Sequence, residues 1–490
     1  MNIKFQRSNC AKQVVFTFSI LLFFQVGYAQ TEPKAGQPPA GSKRSVPNLE
    51  EQVIYQRAFE AVIWSIPAID INGVRRALMK DVGISSNEFV AMSVKLDAKK
   101  EFLTPNNSTL YFAGVLDLQN GPMVLKVPAS SNKGLLFGQI IDAWHETIAD
   151  IGPAGLDAGK GGEYLFLPPN YTGQIPSGYF VVKSSSYRLV PAFRSIQLPG
   201  MTETDAFNYS KTIQLYPLSE AANPKPNKFY DAVNTKVSSL PYYDFRYFEE
   251  LHDIINVEPV RERDKVMMGM LATIGLEKGK PFNPADNVKA IMTRAVTDAY
   301  FYMQQLVQKS HLENPYWPDR HWSDYFAMKD EKGTFKFELD NMLEIDKRAI
   351  MYHQGIIYPS PQKKPAVLYL LGAIDSKGAP LEAGKTYRLH VPKDMPAKQF
   401  WAINVYDGAN WAFIDNKLNR AGLSSYDTKS MKMNKDGSVD IYIGPNAPAR
   451  LESNWIPTEG KRPFIIVRFY GADEPLFNNT FRMPDLEVAD

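Results

Sequence analysis

LYFAGVLDLQNGPMVLKV, residues 110–127, and LLFGQII, residues 135–141, decide how the chain folds. In the first stretch an apolar and aromatic run over 110–116 is broken by Asn120-Gly121-Pro122 and resumes at 123–127. Glycine tolerates the positive φ of a tight reversal and proline cannot donate to a ladder, so the break marks a turn between two strands. The pattern continues outward, with similar runs at 163–167, 179–182 and 187–193. They are punctuated by Asn132-Lys133-Gly134, Pro168-Pro169-Asn170 and Pro176-Ser177-Gly178. Short strands about ten residues apart, with no long helices between them, predict an antiparallel sandwich rather than a parallel doubly wound sheet.

A second set of strands is predicted at 335–339, 366–374, 386–391, 400–406, 439–443 and 464–470, with turns at Asp407-Gly408 and Asp436-Gly437. Between the sets the period changes. Phe245, Phe248, Leu251 and Ile255 form one helical stripe, and Ile291, Ala295, Val296, Ala299, Met303 and Leu306 form another. Asn283, Pro284 and Asp286 read as the cap and first turn of that second helix. Ahead of the first strands, from Leu49 to about Ala77, Val53, Ala58, Val62 and Ile63 recur near helical spacing and predict one or two short helices.

The 490 residues carry 55 Lys plus Arg against 53 Asp plus Glu, so nothing in the charge balance points to nucleic acid. Lys4, Arg7 and Lys12 precede an apolar run over 14–24 that ends in Gly27, Tyr28 and Ala29. That order predicts a cleaved signal peptide at 1–29, a periplasmic or secreted protein, and no membrane association after cleavage. Cleavage would take the formal charge from +2 to −1 and remove Cys10, the only cysteine. Thiolate metal sites and cysteine nucleophiles are thereby excluded, and stability must come from packing. Residues 30–48, rich in Pro, Gly, Ser and Lys, read as a flexible linker.

Chemistry-bearing motifs are sparse. His145-Glu146 opens like a zinc-protease helix, but Ala149 stands where the second imidazole is required. His311, Glu313 and His321 would supply two imidazoles and a carboxylate to a divalent metal if their loop folded back. No other cofactor is expected. Asn434, Asp436, Ser438 and Asp440 resemble a calcium loop but lack its length and terminal Glu, and a hairpin turn explains them better. There is no nucleophile elbow, phosphate loop or dinucleotide fingerprint. Asp117, Asp142, Glu146 and Asp407 remain as acids near aromatic residues, where turn capping competes with acid–base catalysis.

Asn106-Asn107-Ser108-Thr109-Leu110-Tyr111, Leu116-Asp117-Leu118, Gly121-Pro122 and Ile141-Asp142-Ala143-Trp144 resemble the domain of unknown function 1254, and Ile274-Gly275-Leu276 extends the likeness. Phe400-Trp401, Tyr406-Asp407, Asn416 to Arg420, Asn454-Trp455-Ile456-Pro457 and Arg468-Phe469-Tyr470-Gly471 resemble the domain of unknown function 1214. Ser108 departs from the pattern, which usually has Asp there. The resemblance implies a mainly β protein: two jelly-roll-like antiparallel β-sandwiches, at 49–240 and 331–490, with a helical insertion and aromatic loop at 241–330 and short N-terminal helices. It also implies homo-oligomerisation. Carried over by position, Asn107, Tyr111, Trp401, Asn416, Asn454, Trp455 and Arg468 are the implied ligand-binding residues, with Asp117, Asp142, Asp407 and Arg420 as catalytic candidates. The expected function is an exported protein that binds a small molecule or glycan in an aromatic inter-domain cleft, with hydrolysis left open. The alternative is a noncatalytic oligomeric envelope or scaffold protein.

Overall fold

The computed structural model describes Pro38 and residues 42–324, 335–356 and 367–489; the signal peptide and most of the linker expected from the sequence lie outside these residues. The chain divides into Met1–Leu49 and Glu50–Asp490, and everything below concerns the second unit. Its helices are α1 (Leu49–Arg76), α2 (Glu203–Ser210), α3 (Arg246–Val257), α4 (Lys265–Ala272), α5 (Asp286–Glu313), α6 (Ile345–Gln354) and α7 (Glu474–Phe477).

The alternation read at residues 110–127 becomes two sheets. One runs Phe229–Tyr230, Phe89–Ala91, Leu110–Gly114, Arg188–Ile196, Leu135–Ile141, Thr147–Ile151, with Leu116–Asp117 also on Arg188–Ile196. The other runs Gln214–Pro217, Met123–Val127, Gly162–Leu167, Phe180–Lys183. Phe112, Ile140, Leu189 and Phe193 of the first meet Leu125, Tyr164, Phe166 and Leu215 of the second in one buried cluster. Successive residues of a strand point to opposite faces, so Tyr111, Ala113, Ala192 and Arg194 are left on the outer face.

The C-terminal β unit repeats the plan. Ser323–Asp324, Val367–Gly372, Pro463–Ala472, Ala397–Asp407 and Gly422–Ser424 form one sheet; Trp455–Pro457, Val439–Gly444, Tyr387–Val391 and Glu487–Val488 form the other. Ile403, Val405, Ile465, Val467 and Phe469 face Leu389, Ile441, Ile443 and Ile456 between them. Most pairs are antiparallel; Phe89–Ala91, Lys100–Glu101, Gly162–Leu167 and Val439–Gly444 each gain a parallel partner as well or instead.

Helices cover the outer faces. Ala61, Val62 and Ile66 of α1 pack with Phe248 and Leu251 of α3 and with Met292, Ala295, Val296 and Ala299 of α5 in a helical core. Ile71 and Val74 of α1 continue onto the outer face of the first sheet, against Val90, Ile141 and Val190. Val307 of α5 and Met351 of α6 cover Leu371, Phe464 and Ile466 of the C-terminal unit.

Among the described residues the chain is thus β-rich, with several sheets, yet helix and strand are equally represented at 27% each. The N-terminal helix is a single 28-residue rod carrying Pro67 and passing into a π-helical turn at Ala77–Val82, where short helices were expected. α5 starts at Asp286 with Ala285, not Asn283, in the capping position. Of the strand expected at 335–339, only a bridge from Glu338 to Leu343 forms.

Gly138 pairs with Phe193 in the first sheet, and a Cβ there would lie 2.1 Å from the Ala192 carbonyl oxygen. Gly138→Ala should therefore force that strand pair apart and cost roughly 1–3 kcal/mol, read as a lower urea midpoint with an unchanged slope.

Candidate functional site

The outer face of the C-terminal sheet changes character along its length. In Pro463–Ala472 the residues not facing the inner core are Phe464, Ile466, Arg468 and Tyr470. Their neighbours in register are Tyr406 beside Phe464, Leu371 and Asn404 beside Ile466, Tyr369 and Ala402 beside Arg468, and Phe400 beside Tyr470. The apolar end lies under α5 and α6; the end carrying Arg468, Tyr369 and Tyr470 receives instead a segment of the N-terminal β unit.

That segment is 104–108. Tyr406 donates its hydroxyl to the Pro105 carbonyl at 2.7 Å, and Asn404 Nδ2 donates to Asn107 Oδ1 at 2.9 Å. Arg468 Nη1 donates to Asn404 Oδ1 at 2.6 Å and Nη2 to the Thr104 carbonyl at 3.3 Å. Asn106 hydrogen bonds the Tyr470 hydroxyl, and Ser108 Oγ lies 3.1 Å from it. The strand that follows brings Tyr111 with Arg194 directly across from it, the guanidinium 4.9 Å from the ring centre. Arg468 lies 5.0 Å from the Tyr369 ring centre and 5.8 Å from that of Tyr406. Tyr111, Tyr369, Arg194, Asn107 and Ser108 are half-buried, whereas Arg468 is 2% exposed. Burial raises the Tyr111 and Tyr406 hydroxyls above their usual range, so both rings are neutral. From Tyr470 an aromatic stack leads outward: Phe400 at 4.0 Å, then Tyr426, which is exposed.

A second polar centre surrounds the turn at 142–146. Asp142 Oδ1 accepts the backbone N–H groups of Trp144 and Glu146, and Arg261 donates to Asp142 at 2.5 Å and to Glu146 at 2.9 Å. Arg263 adds a bond to Glu146 at 2.8 Å. Burial and the Glu146 charge raise the Asp142 carboxyl; burial also acts to raise Glu146, but Arg261 and Arg263 bring it below its usual range. His145 takes φ +64°, which turns its ring inward, with Nδ1 3.0 Å from Asp70 Oδ2 of α1 and the ring centre 4.3 Å from that of Tyr352. Asp70 and His145 are sealed, at 0% and 1% exposure, so the pair fastens the turn to α1 and presents no face to a substrate. Beside it, a cavity of about 20 Å³, the size of one water, is lined by Asn72, Arg75, Asp142, Arg188 and Glu258.

Of the ligand-binding residues expected from the sequence, Asn107, Tyr111 and Arg468 converge. Trp401 faces the inner core of the same sheet. The others brace loops: Asn416 bonds Ile414 and Arg420 backbone groups, Asn454 ties Lys432 to Asp440, and Trp455 Nε1 donates to Gly444; Arg420, a catalytic candidate, donates to the Glu452 and Trp455 carbonyls. Asp117 and Asp407 accept backbone N–H groups two residues ahead, as turn residues do, and Asp407 also pairs with Lys461. His311, Glu313 and His321 are held apart. His311 bonds Ser323 and Gln354, and burial pushes its imidazole down to about 4; Glu313 faces Lys309, and His321 faces Asp485. Among the described residues no three metal-ligating side chains meet. Asp436 caps Ser438 in the hairpin turn. Sequence reading missed Arg194, Tyr369, Asn404 and Tyr470, although the period-two spacing of Arg468 and Tyr470 places them on one face.

A family model described as a protein of unknown function, DUF1254, matches residues 86–217, and another, DUF1214, matches residues 366–474. No curated protein matches the chain. Among solved structures, the VPA0106 protein from Vibrio parahaemolyticus is similar over 89% of this chain and 100% of its own, at 22% identity and a TM-score of 0.52, a likeness of fold. An uncharacterized protein from Burkholderia cenocepacia aligns over 90% of this chain and 96% of its own, at 12% identity and a TM-score of 0.37.

Glu258 yields a pH prediction. Burial outweighs the N–H groups of Tyr187 and Arg188 that its carboxylate accepts and pushes it up to about 7, from an ordinary 4.5. A carboxyl raised on folding stabilises fully below the unfolded value and loses that contribution as pH rises through the folded one. Wild type should lose up to about 3 kcal/mol between those two values, a loss absent from Glu258→Gln. Urea unfolding of both proteins at pH 5 and 7.5 checks this, and parallel pH dependences would refute it.

Proposed function

From the premise that the chain unites the domains of unknown function 1254 and 1214, we propose that it is an exported protein that binds a small molecule or glycan where its two β units meet. Each β unit is read here as a jelly-roll-like sandwich. The observation that carries the reading is the convergence of half-buried Tyr111 and Tyr369, with Tyr470, Asn107 and Asn404, at the one end of the C-terminal outer face that α5 and α6 leave to the N-terminal unit. Aromatic faces with a few oriented polar groups are the usual lining of small-molecule sites. Asp117, Asp142 and Asp407 are engaged in turns and ion pairs, which favours binding without hydrolysis.

The test is a panel of metabolites and oligosaccharides screened against residues 30–490 by thermal shift, with calorimetry on any hit. Tyr111→Ala should weaken a hit at least tenfold while the circular dichroism stays unchanged. A panel with no hit would remove the reading.

The scaffold alternative has one observation in its favour: α4 turns Val266, 73% exposed, and Met270 to solvent on the same helical face. If that face joins copies, Val266→Glu with Met270→Glu should convert an oligomer into a monomer by light scattering. A wild-type monomer would exclude it.

A further inference from the structure

Several arginines elsewhere in the molecule have acids to answer them. Arg76 pairs with Glu250, Arg188 with Asp253, Arg261 with Asp142 and Glu146, and Arg263 with Glu146 and Glu338. Arg75 and Arg348 make no direct ion pair among the described residues, but carboxylates act on them from nearby: Asp253, Asp117 and Glu258 on Arg75, Glu146 and Asp264 on Arg348.

Among the described residues half-buried Arg420 and Arg462 lack an acid too and donate to carbonyl and amide oxygens; Arg194 and Arg468 lack one and in addition lie within electrostatic reach of each other. Among the described residues neither has a carboxylate within ion-pair distance. The titratable groups acting on both include Tyr369 and Tyr470, with Tyr406 acting also on Arg468, and Tyr111 and Arg468 itself on Arg194. Arg468 meets an amide oxygen, a carbonyl, the Tyr406 hydroxyl and aromatic faces, and its Nε has no hydrogen-bond partner. Arg194 has the face of Tyr111 and a 3.5 Å contact with Thr109 Oγ1. The Tyr111 and Tyr406 hydroxyls, raised by burial, cannot serve as counter-ions. Burying a guanidinium without a counter-charge is costly, and two within mutual influence cost more. Such an arrangement is stable when a third party brings the negative charge, and guanidinium groups are suited to grip an oxyanion through two parallel N–H bonds.

We infer that the junction of Arg194, Arg468, Tyr111, Tyr369 and Tyr470 binds a small organic oxyanion, a carboxylate or a phosphate ester, whose charge is held by the two guanidinium groups. This rests on the reading that the junction holds a ligand, and adds the ligand's charge. The tyrosine rings flanking both cations, and the Phe400 and Tyr426 stack beyond Tyr470, suit a ligand whose body is planar and apolar.

The experiment uses residues 30–490 at constant ionic strength, with benzoate, phenyl phosphate and inorganic phosphate as probes and benzamide as the neutral counterpart of benzoate. Thermal shift and calorimetry should show benzoate or phenyl phosphate binding at least tenfold more tightly than benzamide. The affinity should fall as salt rises. Inorganic phosphate binding as tightly as phenyl phosphate would place recognition in the oxyanion alone, still in support. Arg194→Gln should abolish the anion-induced shift while leaving the unliganded melting temperature equal to or above that of wild type, because it relieves an uncompensated charge. A merely structural arginine would behave oppositely, lowering the unliganded temperature. Arg468→Lys provides a second variant that keeps the charge but loses the fork, and should weaken the anion at least tenfold. Benzamide binding as well as benzoate would overturn the anion inference and leave the small-molecule reading standing; no shift with any probe and no hit in the wider panel would overturn both.

Discussion

Pro463–Ala472 is buried on both faces over its first eight residues, and a strand in that position has no side to give to water. Its inner side chains are satisfied by the facing sheet. Its outer ones need a second cover, and the rest of the molecule is arranged to supply it. α5 and α6 close over Phe464 and Ile466, while segment 104–108 closes over Arg468 and Tyr470. The same demand on the N-terminal sheet is met by the end of α1 and the π-helical turn. The helices are therefore a layer shared by the two β units, which is why α1, at the start of the unit, packs with α3 and α5 from the middle of the chain.

The strands and turns were legible because alternation and Gly or Asn punctuation are local: Asn120-Gly121 and Asp436-Gly437 stand at turns as read. The span of α1 was legible as well, from Leu49 to about Ala77, but its continuity was not. A proline ordinarily interrupts a helix, whereas burial of its neighbours on nearly every side holds this one through Pro67. The site was legible in part. Asn107, Tyr111 and Arg468 came from motif resemblance, but Arg194, Tyr369 and Asn404 join them only through cross-strand register, which the sequence does not display. Asn416, Arg420 and Asn454 bond loop backbone, and side chains that tie a loop to its own backbone look, in sequence, the same as side chains held out for a ligand.

The two polar centres differ in how charge is settled. Around 142–146 acids and guanidinium groups interleave, with Arg261 bridging Asp142 and Glu146 and Arg263 bridging Glu146 and Glu338. Such a network closes on itself and fixes the turn that carries His145 against α1. At the meeting of the β units the cations are surrounded by ring faces, amides and carbonyls, which orient them without neutralising them.

Segment 104–108 belongs by sequence to the first family domain, yet its hydrogen bonds go to Asn404, Tyr406, Arg468 and Tyr470 of the second. Severed from its companion, each would bare amides, tyrosines and a guanidinium shaped to the missing half.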